Sequence, residues 1–161
     1  MLYLQWSDSS GEWLACSQDG ETLWGLYSIG QKYQPTIEEN WVSAPDCQIL
    51  STCQQQLRGY FAGEREQFSL QLAERGTDFQ RQVWRLLSDL NYGSTNSYSA
   101  LAMKLNKPTA TRAVASAVGR NPWTIIVPCH RVVGKNGSLT GFAGGLPLKQ
   151  KLLNLEGKDK I

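Results

Sequence analysis

The sequence is poor in the residues that build metal sites and disulfide frameworks. It has one histidine, His130, and four cysteines, with no pair at C-x-x-C spacing. Zinc sites draw on sets of Cys and His at short, regular spacings, so no metal is expected, and no cofactor either. No apolar run approaches the roughly 18 residues of a membrane-spanning helix. The opening Met1-Leu2-Tyr3-Leu4-Gln5-Trp6 lacks the basic start and long apolar stretch of a secretory signal. A cytoplasmic protein with no membrane association is expected, with Cys16, Cys47, Cys53 and Cys129 as reduced thiols. Charged residues make up only 19% and hydrophobic ones 41%, which excludes a disordered chain. At 161 residues the chain holds one domain or two small lobes.

The net charge of +2 conceals a division along the chain. Residues 1–75 carry ten acidic and four basic side chains, whereas residues 76–161 carry twelve basic and four acidic ones. The second half is where a polyanion would bind, although a charge split can also serve solubility alone.

Turn dipeptides separate Leu2 to Trp6, Trp13 to Cys16 and Thr22 to Tyr27, and predict an antiparallel three-stranded meander. Residues 30–45 read as a loop. A helix follows from about Asp46 to Phe61, with Ile49, Leu50, Cys53, Leu57, Tyr60 and Phe61 on one face. Phe68 to Leu72 alternates as a further extended segment. Thr77-Asp78-Phe79-Gln80 is a capping box for a second helix, whose apolar face is Phe79, Val83, Leu86, Leu87 and Leu90. Ser97 caps a short helix bearing Tyr98, Leu101, Ala102 and Leu105. Asn106-Lys107-Pro108 then turns the chain into another helix ending near Gly119, an arrangement suggestive of helix-turn-helix.

At about 100° per residue, Ala110, Val114, Ala117 and Val118 form one stripe of that last helix, and Arg112 points away from it. Around Arg112 lie only small residues, Thr109, Ala115, Ser116 and Gly119. Such a face suits close approach to a large grooved surface; a small-residue face packed on another helix is the competing interpretation.

Trp123 to Val127 reads as a short buried strand that stops at Pro128. Cys129, His130 and Arg131 follow, a thiol beside two potential cations, which would favour thiolate, the nucleophilic form. Direct contact between Cys129 and His130 requires a turn or a bridging water, since neighbours on a strand point oppositely. Val132-Val133 and Leu139-Thr140 predict a hairpin around Lys135-Asn136-Gly137. Gly141 to Gly145 is a low-bulk loop holding Phe142, and the last helix, Pro147 to Glu156, carries Leu148, Leu152 and Leu155. Glu156 opposes the helix dipole at the edge of that stripe, which marks it as a partner for His130; a solvated surface glutamate is the plainer alternative.

Ile126-Val127-Pro128-Cys129-His130-Arg131-Val132-Val133-Gly134 resembles the active-site signature of the O6-alkylguanine-DNA alkyltransferases, also called methylated-DNA–protein-cysteine methyltransferases. Thr77 to Gln80 with Val83-Trp84, Ser97-Tyr98, Arg112-Ala113-Val114, Asn121-Pro122, the Gly141 to Gly145 loop and Leu152 to Gly157 extend the likeness in register over residues 57–157. The resemblance implies an α/β protein. Its N-terminal lobe, 1–75, would be ribonuclease-H-like, an antiparallel sheet plus a helix. Its C-terminal lobe, 76–161, would be mainly helical, carry a helix-turn-helix, bind DNA and house catalysis.

By the same resemblance the protein repairs duplex DNA as a monomer, entering the minor groove without an obligate protein partner. It flips O6-alkylguanine, with O4-alkylthymine a second candidate, and transfers the alkyl group irreversibly to Cys129, once per molecule. His130 takes the thiol proton through water, Glu156 polarises His130, Asn121 braces the turn, and Tyr98 assists base rotation and protonation of the leaving guanine. The DNA-facing set is Arg112, Tyr98, Thr109, Ala113, Ser116, Ala117 and Arg120, with Arg112 filling the place of the flipped base. Val127, Pro128, Phe142, Ala143 and Gly144 bound the pocket. Many relatives have Tyr at Phe142 and some have Ser at Ala143; without those hydroxyls, loop amides remain as donors to the guanine oxygen. A lesion-sensing DNA-binding protein that never reacts is the alternative, and a cysteine hydrolase the third reading.

Overall fold

The computed structural model describes residues 1–157, so the last four positions of the expected second lobe lie outside the described residues. The chain forms two compact units, Met1–Arg75 with Pro122–Ile126, and Gly76–Asn121 with the chain from Val127 on.

In the first unit β1 (Leu2–Asp8), β2 (Gly11–Ser17) and β3 (Gly25–Ser28) form the expected antiparallel meander. Asp8 makes the first turn by accepting from the Ser10 amide at 2.8 Å, and Gly11 follows at a φ of 141° that few other residues adopt. Within the region expected to be loop, β4 (Val42–Ser43) pairs parallel to β1 and completes the order β3-β2-β1-β4. Two residues carry no readable period, so only pairing partners define this strand. Helix α1 (Gln48–Phe61) packs on β1 and β2 and buries Leu50, Cys53, Leu57 and Tyr60.

Gln56 is also buried, and its amide explains why 68–72 is not a strand. It donates to the Ser69 carbonyl at 3.2 Å and accepts from the Ser69 amide at 3.0 Å, occupying the groups a ladder would use. Only Leu72 forms a bridge, to Leu23.

Of the expected buried strand Trp123 to Val127, all but Ile126 are buried, but the segment is no strand. Pro122 and Thr124 exchange backbone bonds with Leu26 at 2.9 and 3.1 Å, and the Trp123 indole donates to the Leu23 carbonyl at 2.8 Å. Ile125 then takes a φ of 73°, which breaks the extended run.

The second unit begins with α2 (Asp78–Ser88), whose capping box is made in both directions, Gln80 N to Thr77 Oγ1 at 3.1 Å and Thr77 N to Gln80 Oε1 at 3.0 Å. Its buried face is Val83, Trp84 and Leu87. Trp84 was not on the predicted stripe; its indole reaches the Ala117 carbonyl at 2.8 Å. Strand β5 (Asn96–Ser97) leads into α3 (Tyr98–Lys104), capped by Ser97 Oγ, which accepts from the Ala100 amide at 3.1 Å. Asn106, at a φ of 58°, turns the chain toward α4 (Thr111–Gly119), which packs on α2 and α3.

The expected hairpin at 132–140 does not form. Instead β6 (Val132–Val133) pairs parallel with β5, and Lys135–Gly137 is one 3-10 turn in which Asn136 and Gly137 both have positive φ. Those two residues wind the chain away from a return strand. Helix α5 (Leu146–Gly157) buries Lys149, Leu152 and Glu156, whereas Leu148 and Leu155 of the predicted stripe are only half-buried. No helix among the described residues is long and apolar enough to cross a membrane.

Candidate active site

Cys129, His130 and Arg131 form a single 3-10 turn rather than a strand end. Pro128 prepares it, since its φ of −80° and ψ of 66° are those of an inverse γ-turn, and the Cys129 amide donates to the Val127 carbonyl at 2.7 Å. The same carbonyl accepts Asn121 Nδ2 at 2.7 Å, tying the end of α4 to the turn. Asn121, Val127, Pro128, Cys129 and His130 are all buried.

His130 has no exposure, and its Nε2 lies 2.6 Å from Glu156 Oε2. Glu156 is equally enclosed, not a solvated helix-end carboxylate. Arg131 grips the same carboxylate with two nitrogens, Nε to Oε1 at 2.8 Å and Nη2 to Oε2 at 3.0 Å. Its third nitrogen donates to the Leu90 carbonyl at 2.7 Å, and the Gly93 amide donates to Glu156 Oε1 at 3.3 Å. His130 Nδ1 is buried with no protein partner among the described residues.

The thiol differs from its sequence expectation. Burial pushes Cys129 up to about 11, against the opposing pull of an Asn121 side-chain hydrogen bond and the Lys149 charge. Desolvation outweighs the flanking cations, so the resting group is a thiol. Burial also lowers His130; Glu156 offsets part of this, while Arg131 and Lys149 add to it. A histidine depressed from 6.5 takes up its proton more readily when unfolded. Its contribution to stability is therefore complete above that value and is lost as pH falls through the folded-state pKa. Thermal scans on the acid side of 6.5 are expected to show a falling Tm, less so in His130→Gln.

Lys149 escaped the sequence reading altogether. Its Nζ donates to the Thr140 carbonyl at 3.1 Å, its charge acts on Cys129, and burial lowers it. A lysine near a helix start counts as solvent-facing by residue type alone; here it shares the buried face of Leu152 and Glu156 and reaches the Thr140 carbonyl. Arg131 was noted only as a cation beside the thiol.

Phe142, Ala143 and Gly144 are half-buried beside this helix. A Cβ on Gly144 would lie 2.8 Å from Leu148 and 2.9 Å from the Phe142 ring, so the loop requires glycine there. Tyr98 Oη is within 3.5 Å of the Gly141 carbonyl and 3.3 Å of Thr140 Oγ1. On α4, Arg112, Ala113 and Ser116 are exposed, as are the flanking Thr109 and Arg120. Ala117 is not: it is buried, with its carbonyl accepting the Trp84 indole, and its side chain is not available to the DNA-facing set. Among the described residues no cluster of His, Cys, Asp and Glu could hold a metal ion.

Two family models match the chain. The 6-O-methylguanine DNA methyltransferase ribonuclease-like domain covers residues 9–73, and the DNA binding domain of the same description covers residues 78–158. A methylated-DNA–protein-cysteine methyltransferase of Mycobacterium bovis is 43% identical over 97% of this chain and 93% of its own length. One from Methanosarcina barkeri is 52% identical over 74% of this chain and 75% of its own. The crystal structure of Mycobacterium tuberculosis OGT in complex with DNA superposes with a TM-score of 0.86, at 40% identity, covering 98% of this chain and 93% of that one.

Proposed function

The chain belongs to the 6-O-methylguanine DNA methyltransferase family, whose activity is alkyl-transfer repair of methylated DNA onto a protein cysteine, and from that premise we propose that Cys129 is the acceptor. The observation that carries this is the buried line from the Cys129 turn through His130 to Glu156, with Nε2 and Oε2 at 2.6 Å and Nδ1 unpartnered.

A thiol raised to about 11 must lose its proton as it reacts. His130 Nδ1 receives it across a bridging water, and Glu156 stabilises the imidazolium that forms. Asn121 and the Lys149 ammonium favour the transient thiolate. The sulfur attacks the alkyl carbon in line with the guanine O6; the S–C bond forms as the C–O6 bond breaks. Tyr98 protonates the departing guanine. The product is a thioether that none of these groups can hydrolyse, so each molecule reacts once.

The substrate is O6-alkylguanine in duplex DNA, with O4-alkylthymine a second candidate, approached through the minor groove by α4. Ala113 and Ser116 permit close docking, Thr109 and Arg120 flank the contact, and Arg112 fills the space of the flipped nucleotide. Flipping costs a few kcal/mol, which such a wedge offsets. Val127, Pro128, Phe142, Ala143 and Gly144 bound the base pocket. The protein acts without an obligate partner, and its four free thiols suit the reducing cytoplasm.

Intact-mass analysis with peptide mapping, after incubation with an O6-methylguanine duplex, tests the reading. The expected result is one methyl on Cys129, saturating at one per protein, with the base restored to guanine. Tight lesion binding with no mass change would identify a non-reacting sensor instead. Arg112→Ala is expected to slow repair in duplex by about tenfold while leaving reaction with the free base unchanged, as removal of a contact worth about 1.4 kcal/mol would. Equal slowing of both would remove the wedge role.

A further inference from the structure

Arg131 is 7% exposed, and its three guanidinium nitrogens are all engaged, two on Glu156 and one on the Leu90 carbonyl. The guanidinium also lies over the Tyr92 ring, 5.6 Å from its centroid. Transfer as read above does not use this cation, yet it shares its carboxylate with the histidine. We propose that Arg131 is a positioning residue that holds Glu156 ionised and in one orientation, fixing His130 as the neutral tautomer protonated at Nε2, with Nδ1 open as an acceptor.

The argument is one of donors and acceptors. A guanidinium and a backbone amide can only donate, so the Arg131 and Gly93 bonds require lone pairs on both Glu156 oxygens. The guanidinium charge against both oxygens favours the ionised carboxylate over the acid, and with Glu156 ionised the hydrogen between the pair at 2.6 Å is the one on Nε2. Nδ1 is left as the lone-pair nitrogen. The groups facing His130 are Glu156 and Lys149 from α5, and Cys129 and Arg131 from its own turn. A proton on Nδ1 would add a positive charge near those of Arg131 and Lys149, and both resist it. Arg131 thus keeps the imidazole empty until a proton arrives from the thiol. Lysine could supply the charge but not the two-pronged grip.

This assignment deepens the reading of His130 as proton acceptor, but its first test does not depend on that reading. His130 is the single histidine, so imidazole nitrogen and carbon-bound proton resonances report it alone. In the unmodified protein the neutral Nε2–H tautomer is expected at pH 7 and above. In Arg131→Gln the imidazole should take up its proton about one pH unit higher, while Arg131→Lys stays close to wild type. The acid limb of methyl transfer to free O6-methylguanine should move with it. The loss should approach about tenfold only at pH values below both titrations, and it recovers in alkaline buffer.

An imidazolium, or the Nδ1–H tautomer, in the wild-type protein at pH 7 would overturn the assignment without any variant being folded. So would a wild-type imidazole titration in Arg131→Gln, or a loss of rate uniform with pH in both variants. If the imidazole titration moves and the transfer limb does not, the Arg131 assignment stands and the proton-acceptor reading of His130 fails.

Discussion

Cys129→Ala is expected to abolish methyl transfer and to leave binding to methylated duplex intact. The sulfur is the only atom of the protein that bonds the transferred carbon in the proposed reaction, so nothing replaces it when it is removed. The fold should tolerate the change. The thiol is only 5% exposed, and a buried group of this size, held as the neutral form, leaves a small cavity costing about 1 kcal/mol. The turn itself is held by backbone bonds of Val127, Pro128 and Cys129, none of which involves the sulfur. Labelled-methyl transfer, gel mobility shift and a melting curve on one preparation check this. Residual transfer would move the acceptor to another of the four cysteines, and loss of binding together with transfer would show that the sulfur supports the fold.

Glu156→Ala is expected to cost more stability than any other single substitution at the site, about 3–5 kcal/mol, because it strips the acceptor from a buried guanidinium and a buried imidazole together. Glu156→Gln separates the structural from the chemical part. Its amide oxygen can still accept from Arg131, but its NH2 meets the His130 Nε2 hydrogen, and the carboxylate charge that would stabilise imidazolium is gone. Transfer should fall by about a hundredfold with a much smaller loss of stability. Urea denaturation and single-turnover rates of the two variants decide it. A glutamine variant that transfers at the wild-type rate would take Glu156 out of the reaction.

What could be read in advance followed the range of the interactions involved. The meander, the two side-chain caps at Thr77 and Ser97, and the buried line Val114, Ala117 and Val118 depend on near neighbours, and they are in place. Elements built by distant partners were not legible. Strand β4 exists because Met1 and Tyr3 lie beside it, and 68–72 fails to pair because Gln56 competes for Ser69. Val132–Val133 finds β5 rather than the chain just after it, because positive φ at Asn136 and Gly137 turns that chain aside. The same division runs through the site. Cys129, His130 and Glu156 could be named from residue type and place, but the depth of the thiol, which reverses its expected acidity, is a packing result. The burial of Lys149 and the grip of Arg131 on Glu156 depend on groups distant in sequence, the Thr140 and Leu90 carbonyls and the Glu156 carboxylate, which no period reveals.

The five residues Pro122–Ile126 bear on how the gene may be cut. Their backbone and the Trp123 indole are satisfied by Leu23 and Leu26, residues almost a hundred positions earlier. A fragment starting at Gly76 would keep α2 through α5 but carry this plug without its socket, leaving a 4% exposed tryptophan and an unpaired indole N–H to solvent. The plug ends one residue before Val127, whose carbonyl anchors both Asn121 and the Cys129 amide. Truncation at the apparent lobe boundary would therefore loosen the reactive turn from its upstream side, and co-expressing residues 1–75 in trans should restore it. The two halves of this protein are complementary pieces rather than independently portable modules.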